Sequence, residues 1–191
     1  SQGTHHFRNN MFGDKLTDYI QVYDNVFTEE ECKDAITLFE HNNANGKTTE
    51  YDTPGYKFTQ LDINNIDRYY ANQIVKILTP VYNEYFERLG VRQYVDLSCF
   101  ENVRIKRYLK GNGEFRTHVD VGDHSSAKRF AIAIIYLNNN DGITSFPNLG
   151  SGVYPETGRV VIFPPMWMFP HSGTVPTNTD KYIMMTCLHY K

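Results

Sequence analysis

The sequence predicts an α+β fold in which helices come first, antiparallel strands follow, and the helices pack on one face of a sheet sandwich. Three observations carry this prediction. Up to Leu89 apolar residues recur at helical spacing. From Val95 onward they sit in short β-branched and aromatic runs separated by clusters of Gly, Asn, Asp and Pro. Aromatic residues make up 14% of the chain, with 14 Tyr and 12 Phe, which favours a β-rich core with polar-tipped rings lining a pocket. Double sheets of the jelly-roll kind have a mouth that holds a ligand.

Residues 19–27 alternate loosely and read as a first strand. Thr28 then opens a helix: its hydroxyl can cap the amide of Glu31, and Glu31 can reach back. Cys32, Ala35, Ile36 and Phe39 give that helix one buried face. Asn42 to Gly55 is polar and turn-rich and reads as a surface loop. A longer helix is expected from about Ile66 to Leu89, with Ile66, Tyr70, Ile74, Ile77, Val81, Tyr85 and Leu89 on one stripe and Gly90 as its stop. Pro80 inside it should kink or split it. Asn102–Leu109, Arg129–Leu137, Arg159–Phe163 and Tyr182–Tyr190 are the strand candidates. With no repeat and no dividing linker, residues 1–191 read as a single domain: helical support over about 19–90 and a β core over about 95–191.

Composition narrows the function classes. The 191 residues are 40% hydrophobic and 21% charged, with a formal net charge of -3 and scattered Lys and Arg. That pattern offers no nucleic-acid footprint and no polybasic membrane anchor. No apolar run approaches the ~20 residues of a membrane span, and no signal-peptide core opens the chain. Cys32, Cys99 and Cys187 form neither a disulfide framework nor a Cys-x-x-Cys clip, so a reducing, cytoplasmic setting is expected. Ser1-Gln2-Gly3 reads as a vector-encoded remnant and carries no weight in the fold.

The chemistry concentrates in His118-Val119-Asp120. On a strand, positions two apart share a face, so both side chains can aim at one metal. His171, in Phe169-Pro170-His171-Ser172-Gly173, is the candidate third ligand. Two imidazoles and one carboxylate on one side of a metal leave the other side open, the arrangement of non-haem iron oxygenases. Lys181, ten residues after His171, could bind a carboxylate in a partly desolvated pocket. Tyr108 and Tyr136 could donate hydroxyls to the same ligand. Taken singly, each of these residues also has a plain structural reading as a satisfied core or surface side chain.

From about Val103 to Tyr190 the chain resembles the prolyl 4-hydroxylase-like branch of the 2-oxoglutarate/Fe(II) oxygenases. Tyr108-Leu109-Lys110-Gly111-Asn112-Gly113-Glu114-Phe115 is similar to the run before that family's first His. Then come His118-x-Asp120, Arg129, Tyr136-Leu137-Asn138, Phe146-Pro147-Asn148-Leu149-Gly150, Pro155-x-x-Gly158-Arg159, Pro170-His171-Ser172-Gly173 and Lys181. The resemblance implies a double-stranded β-helix (jelly-roll, cupin-like) core with the N-terminal helices on its major sheet. It implies Fe(II) held by His118, Asp120 and His171, and 2-oxoglutarate held by Lys181, Tyr136 and Tyr108. Dioxygen (O2) is the oxidant and ascorbate a supporting reductant. Arg129 matches a position that faces substrate in relatives, and Trp167, in the apolar stretch Pro164–Phe169, is a candidate substrate wall. The departures, including Thr186 where many relatives carry Trp, are expected around the pocket and bear on substrate. A peptide or protein substrate comes first by analogy, with a free amino acid or small metabolite as the alternative. From other classes, a non-catalytic jelly-roll binding module and a zinc hydrolase stay open. Oligomeric state is not readable.

Overall fold

In a computed structural model, the structure describes Gly13 and residues 15–191; Ser1-Gln2-Gly3 lies outside them. A 3-10 turn at Leu16–Tyr19 leads into β1 (Gln21–Tyr23), shorter than the strand expected over 19–27. Helix α1 (Glu29–Ala44) begins where Thr28 predicts: its side chain accepts from the Glu31 amide at 3.1 Å, and the Glu31 carboxylate accepts from the Thr28 amide at 2.8 Å. Cys32, Ala35 and Phe39 are fully buried beneath it.

The region 42–55 corrects the loop reading. Its end folds into β2 (Thr49–Thr53), hairpin-paired with β3 (Tyr56–Asp62). All five residues of β2 are exposed, so no apolar alternation betrays this edge strand. A short α2 (Ile63–Ile66) precedes α3 (Arg68–Arg88), which Asp67 caps by accepting from the Tyr70 amide. Pro80 lies inside α3 without splitting it. It removes the donor to the Lys76 carbonyl, but both residues are on the solvent side, where water can replace the bond. The buried stripe of α3 is Ala71, Ile74, Leu78, Tyr82, Tyr85 and Phe86, rotated from the predicted one and sharing only Ile74 and Tyr85 with it. Gly90, at φ 71°, ends the helix as expected.

Eight strands follow: β4 (Arg104–Tyr108), β5 (Glu114–His118), β6 (Arg129–Tyr136), β7 (Thr144–Phe146), β8 (Ser151–Val153), β9 (Val160–Phe163), β10 (His171–Gly173) and β11 (Lys181–His189). The sheet order is β1-β9-β6-β11-β4-β3-β5-β10-β7-β8, and every pairing is antiparallel. The sheet curls into a nearly closed barrel, a double-stranded β-helix.

Alternation along the strands builds two cores. Ile105, Ala131, Ala133, Ile135, Ile162 and Met184 face out and bury α1 and α3. Tyr108, Ile132, Ile134, Tyr136, Ile183 and Met185 face into the barrel. Glu40 on α1 sews the helix to the sheet, accepting from Arg107 at 3.0 Å and from the Tyr182 hydroxyl at 2.7 Å. Among the described residues no helix is long and apolar enough to cross a membrane.

Gly158 is required by its surroundings. It sits at φ 81°, and an added Cβ would fall onto the Phe27 carbonyl. Its own carbonyl accepts from the Val26 and Phe27 amides and ties the segment between β1 and α1 to the start of β9. Gly158→Ala should cost roughly 2–3 kcal/mol and lower the melting temperature by about 4–10 °C. An unshifted thermal unfolding curve would show that this turn relaxes freely.

Candidate active site

The triad comes together through strand pairing. In the register of β5 and β10, His118 lies opposite His171, and the two rings are 4.4 Å apart centre to centre. Asp120 falls two residues beyond the point where β5 ends, so strand alternation alone does not place it. Its amide donates to the Pro165 carbonyl at 3.0 Å, and its carbonyl accepts from the Arg129 guanidinium at 2.9 Å. These main-chain anchors turn the carboxylate toward both rings: Oδ1 is 3.6 Å from His118 Nε2, and Oδ2 is 3.2 Å from His171 Nε2. One ligand atom from each of the three residues lies within 4.8 Å of the others.

The ring nitrogens favour metal binding. His118 Nδ1 is 2.8 Å from the Arg116 carbonyl and His171 Nδ1 is 3.0 Å from the Phe169 carbonyl. A carbonyl can only accept, so each Nδ1 carries the proton and each Nε2 presents a lone pair to the shared space. Burial raises the Asp120 carboxyl; if protonated at Nε2, the two imidazoles would outweigh it and hold the group well below the usual carboxylate range, and with both Nε2 presenting lone pairs a metal cation would take the place of those protons. Asp120 Oδ2 is buried with no hydrogen-bond partner, and His171 Nε2 stands 3.2 Å from it. An orphaned anionic oxygen beside two lone pairs fits a cation between them.

The triad lines a narrow cavity with Lys106, Tyr108, Phe115, Thr144, Lys181 and the apolar Ile132, Ile134, Ile183 and Met185. Lys181 is 2% exposed. It donates to the Gly142 carbonyl at 2.8 Å and stands 5.2 Å from the centre of the Tyr108 ring. Burial pushes its ammonium down to about 8.

The other expected residues divide. Tyr108 lines the cavity. Tyr136 is fully buried behind it, its hydroxyl donating to Thr144 Oγ1 at 2.6 Å, so Thr144 is the group that meets the cavity. Arg129 does not line it; its guanidinium is taken by Glu101 at 2.6 Å and by the Asp120 carbonyl. Trp167 is 75% exposed and away from the cavity. Its neighbours Pro164, Met166, Met168 and Phe169 pack toward Tyr19, Tyr85 and Phe130 in a separate apolar groove. Thr186 lies opposite Ala133 on the outer face and donates to the Glu101 carbonyl at 2.7 Å, which corrects its expected place near the pocket.

Thr144 and Lys106 line the cavity without having been singled out from the sequence. Thr144 alternates with Phe146, and Lys106 is two residues from Tyr108 on β4; period-two alternation was the available signal for both.

Residues 103–189 match the family described as the 2OG-Fe(II) oxygenase superfamily. The matched stretch is the β core that carries the triad and Lys181, a little under half of the chain. The protein is a 2-oxoglutarate-dependent dioxygenase, using Fe(II), 2-oxoglutarate and O2. No curated protein matches it in sequence. Solved structures match its fold. The viral collagen prolyl hydroxylase of Paramecium bursaria Chlorella virus-1, as its 2OG complex, is 18% identical with a TM-score of 0.65, covering 91% of this chain and 96% of its own. A Pseudomonas putida prolyl-4-hydroxylase is 15% identical with a TM-score of 0.70, covering 90% and 93%. A Trichoplax adhaerens prolyl hydroxylase, in complex with a peptide fragment of the hypoxia inducible factor oxygen degradation domain, is 14% identical with a TM-score of 0.71, covering 94% and 87%. At these identities the likeness is one of fold.

Proposed function

We propose that this oxygenase hydroxylates a prolyl residue of a peptide or protein, with His118, Asp120 and His171 as its iron ligands and Lys181 as the anchor of the distal 2-oxoglutarate carboxylate. The observation that carries the reading is the pair of Nε2 lone pairs and the orphaned Asp120 oxygen converging at one end of a cavity, which also holds a deeply buried ammonium. The prolyl substrate is supported by fold likeness to prolyl hydroxylases, one of them solved with a peptide.

Bound iron supplies the activation of dioxygen, coupled to conversion of 2-oxoglutarate to succinate and carbon dioxide. The chain's own residues do the rest. The Arg116 and Phe169 carbonyls hold both imidazoles in the ligating tautomer. Arg129 and Pro165 fix the Asp120 backbone. Tyr136 orients Thr144 toward the cosubstrate, and Lys181 supplies the counter-charge. The aliphatic and aromatic walls exclude water and strengthen each of these contacts.

The test is succinate release against proline-containing peptides, free amino acids and lysate protein, read with a mass gain of one oxygen atom on the product. Oxygen incorporated only into a free amino acid would replace the peptidyl reading.

A pH dependence follows for the cosubstrate. The free Lys181 ammonium titrates near 8 because burial disfavours its charge. Below that pH the cation is in place. Above it, binding a dianion must first recover a proton, so affinity weakens by up to about tenfold per pH unit. Calorimetric titration of Mn(II)-loaded protein with 2-oxoglutarate between pH 6.5 and 9.5 checks this; a flat profile would show that the ammonium is held charged throughout.

A further inference from the structure

We propose that Lys106 is a second carboxylate anchor, binding the 2-oxoacid carboxylate at the triad end of the cavity while Lys181 binds the distal one. This rests on the cosubstrate reading above. Lys106 is 7% exposed and lines the cavity. Its Nζ lies 4.5 Å from the centre of the Phe58 ring and 4.8 Å from that of Phe115. Among the described residues it has no hydrogen-bond or ion-pair partner. A buried ammonium left with only aromatic faces is short of a counter-charge.

Position says which carboxylate it meets. Lys106 pairs with Ile183 in the β4–β11 register, and Lys181 pairs with Tyr108. The two lysines are therefore diagonal neighbours facing one cavity, with Cα atoms roughly 7–8 Å apart, the scale of a five-carbon dicarboxylate. Phe115, which carries the Lys106 head, packs on the His118 ring at 3.9 Å. Lys106 and Asp120 line the same cavity, and the Asp120 charge bears on the Lys106 ammonium. Lys106 thus belongs to the triad end. A dianion laid between the two ammonium groups would give each its counter-charge.

The test is calorimetric binding to Mn(II)-loaded protein, with 2-oxoglutarate and with oxalate, which carries the chelating half alone. K106M removes the charge at nearly constant volume. It should weaken both ligands by about 10- to 100-fold, and K106R, whose planar head can stack on the same rings, should recover most of the oxalate affinity. K181M should weaken 2-oxoglutarate and leave oxalate as in the wild type. Wild-type affinities in K106M would overturn the assignment. So would a loss confined to 2-oxoglutarate, which places Lys106 at the far end, or a loss that K106R does not recover, which marks packing. Failure of the wild type to bind 2-oxoglutarate would instead remove the proposed function on which this rests.

Discussion

Asp120→Ala or His171→Ala will abolish iron-dependent turnover, with succinate release falling by at least roughly 10³-fold, the several kcal/mol that a bound metal contributes. The expected loss is chemical and not structural. Asp120 is anchored by its main chain, through its amide to Pro165 and its carbonyl to Arg129, and both bonds survive truncation of the side chain. Removing the carboxylate also takes away the buried orphan oxygen, so folding loses little. His171 is 4% exposed among Phe146 and Phe163, and truncation there leaves a cavity of about one ring. Its stability cost is therefore the larger, about 2–4 kcal/mol. Turnover and metal content measured on variants with cooperative melts separate the two effects. Full succinate release from either variant would refute the ligand assignment.

Lys181→Ala will raise the 2-oxoglutarate requirement by roughly 10²- to 10³-fold, because it leaves one carboxylate of a bound dianion buried and unpaired, a penalty of order 3–5 kcal/mol. The ammonium is 2% exposed and meets only the Gly142 carbonyl and the Tyr108 face, so water cannot replace it cheaply. The folded protein should tolerate the change. One carbonyl loses a donor, but the desolvation cost of the isolated cation disappears with it. Steady-state succinate release against 2-oxoglutarate concentration is the measurement, and an unchanged half-saturation point would remove Lys181 from the site.

Much of the architecture was legible in the chain. The capping residues Thr28 and Glu31, the Gly90 stop and the apolar runs of β4, β6, β9 and β11 each state a local preference that the fold obeys. Strand β2 was not legible, because all its residues face water and only pairing with β3 makes it a strand. The α3 stripe was read one step out of rotation because Tyr70, Ile77 and Val81 are half-buried beside the true face, and periodicity alone does not rank neighbouring apolar rows.

By itself, the sequence determined the donor types, their order along the chain, and the strand alternation that points Tyr108 and Lys181 into the barrel. Tertiary structure decided what each polar group is free to do. It turned Asp120 inward from beyond the strand end, spent the Tyr136 hydroxyl on Thr144, committed Arg129 to Glu101 and the Asp120 backbone, left Trp167 in solvent, and brought Lys106 to the triad end without a partner. Residue identity sets what a side chain can donate or accept. Which of those bonds is already made depends on neighbours distant in sequence, and the register of the paired strands chooses them.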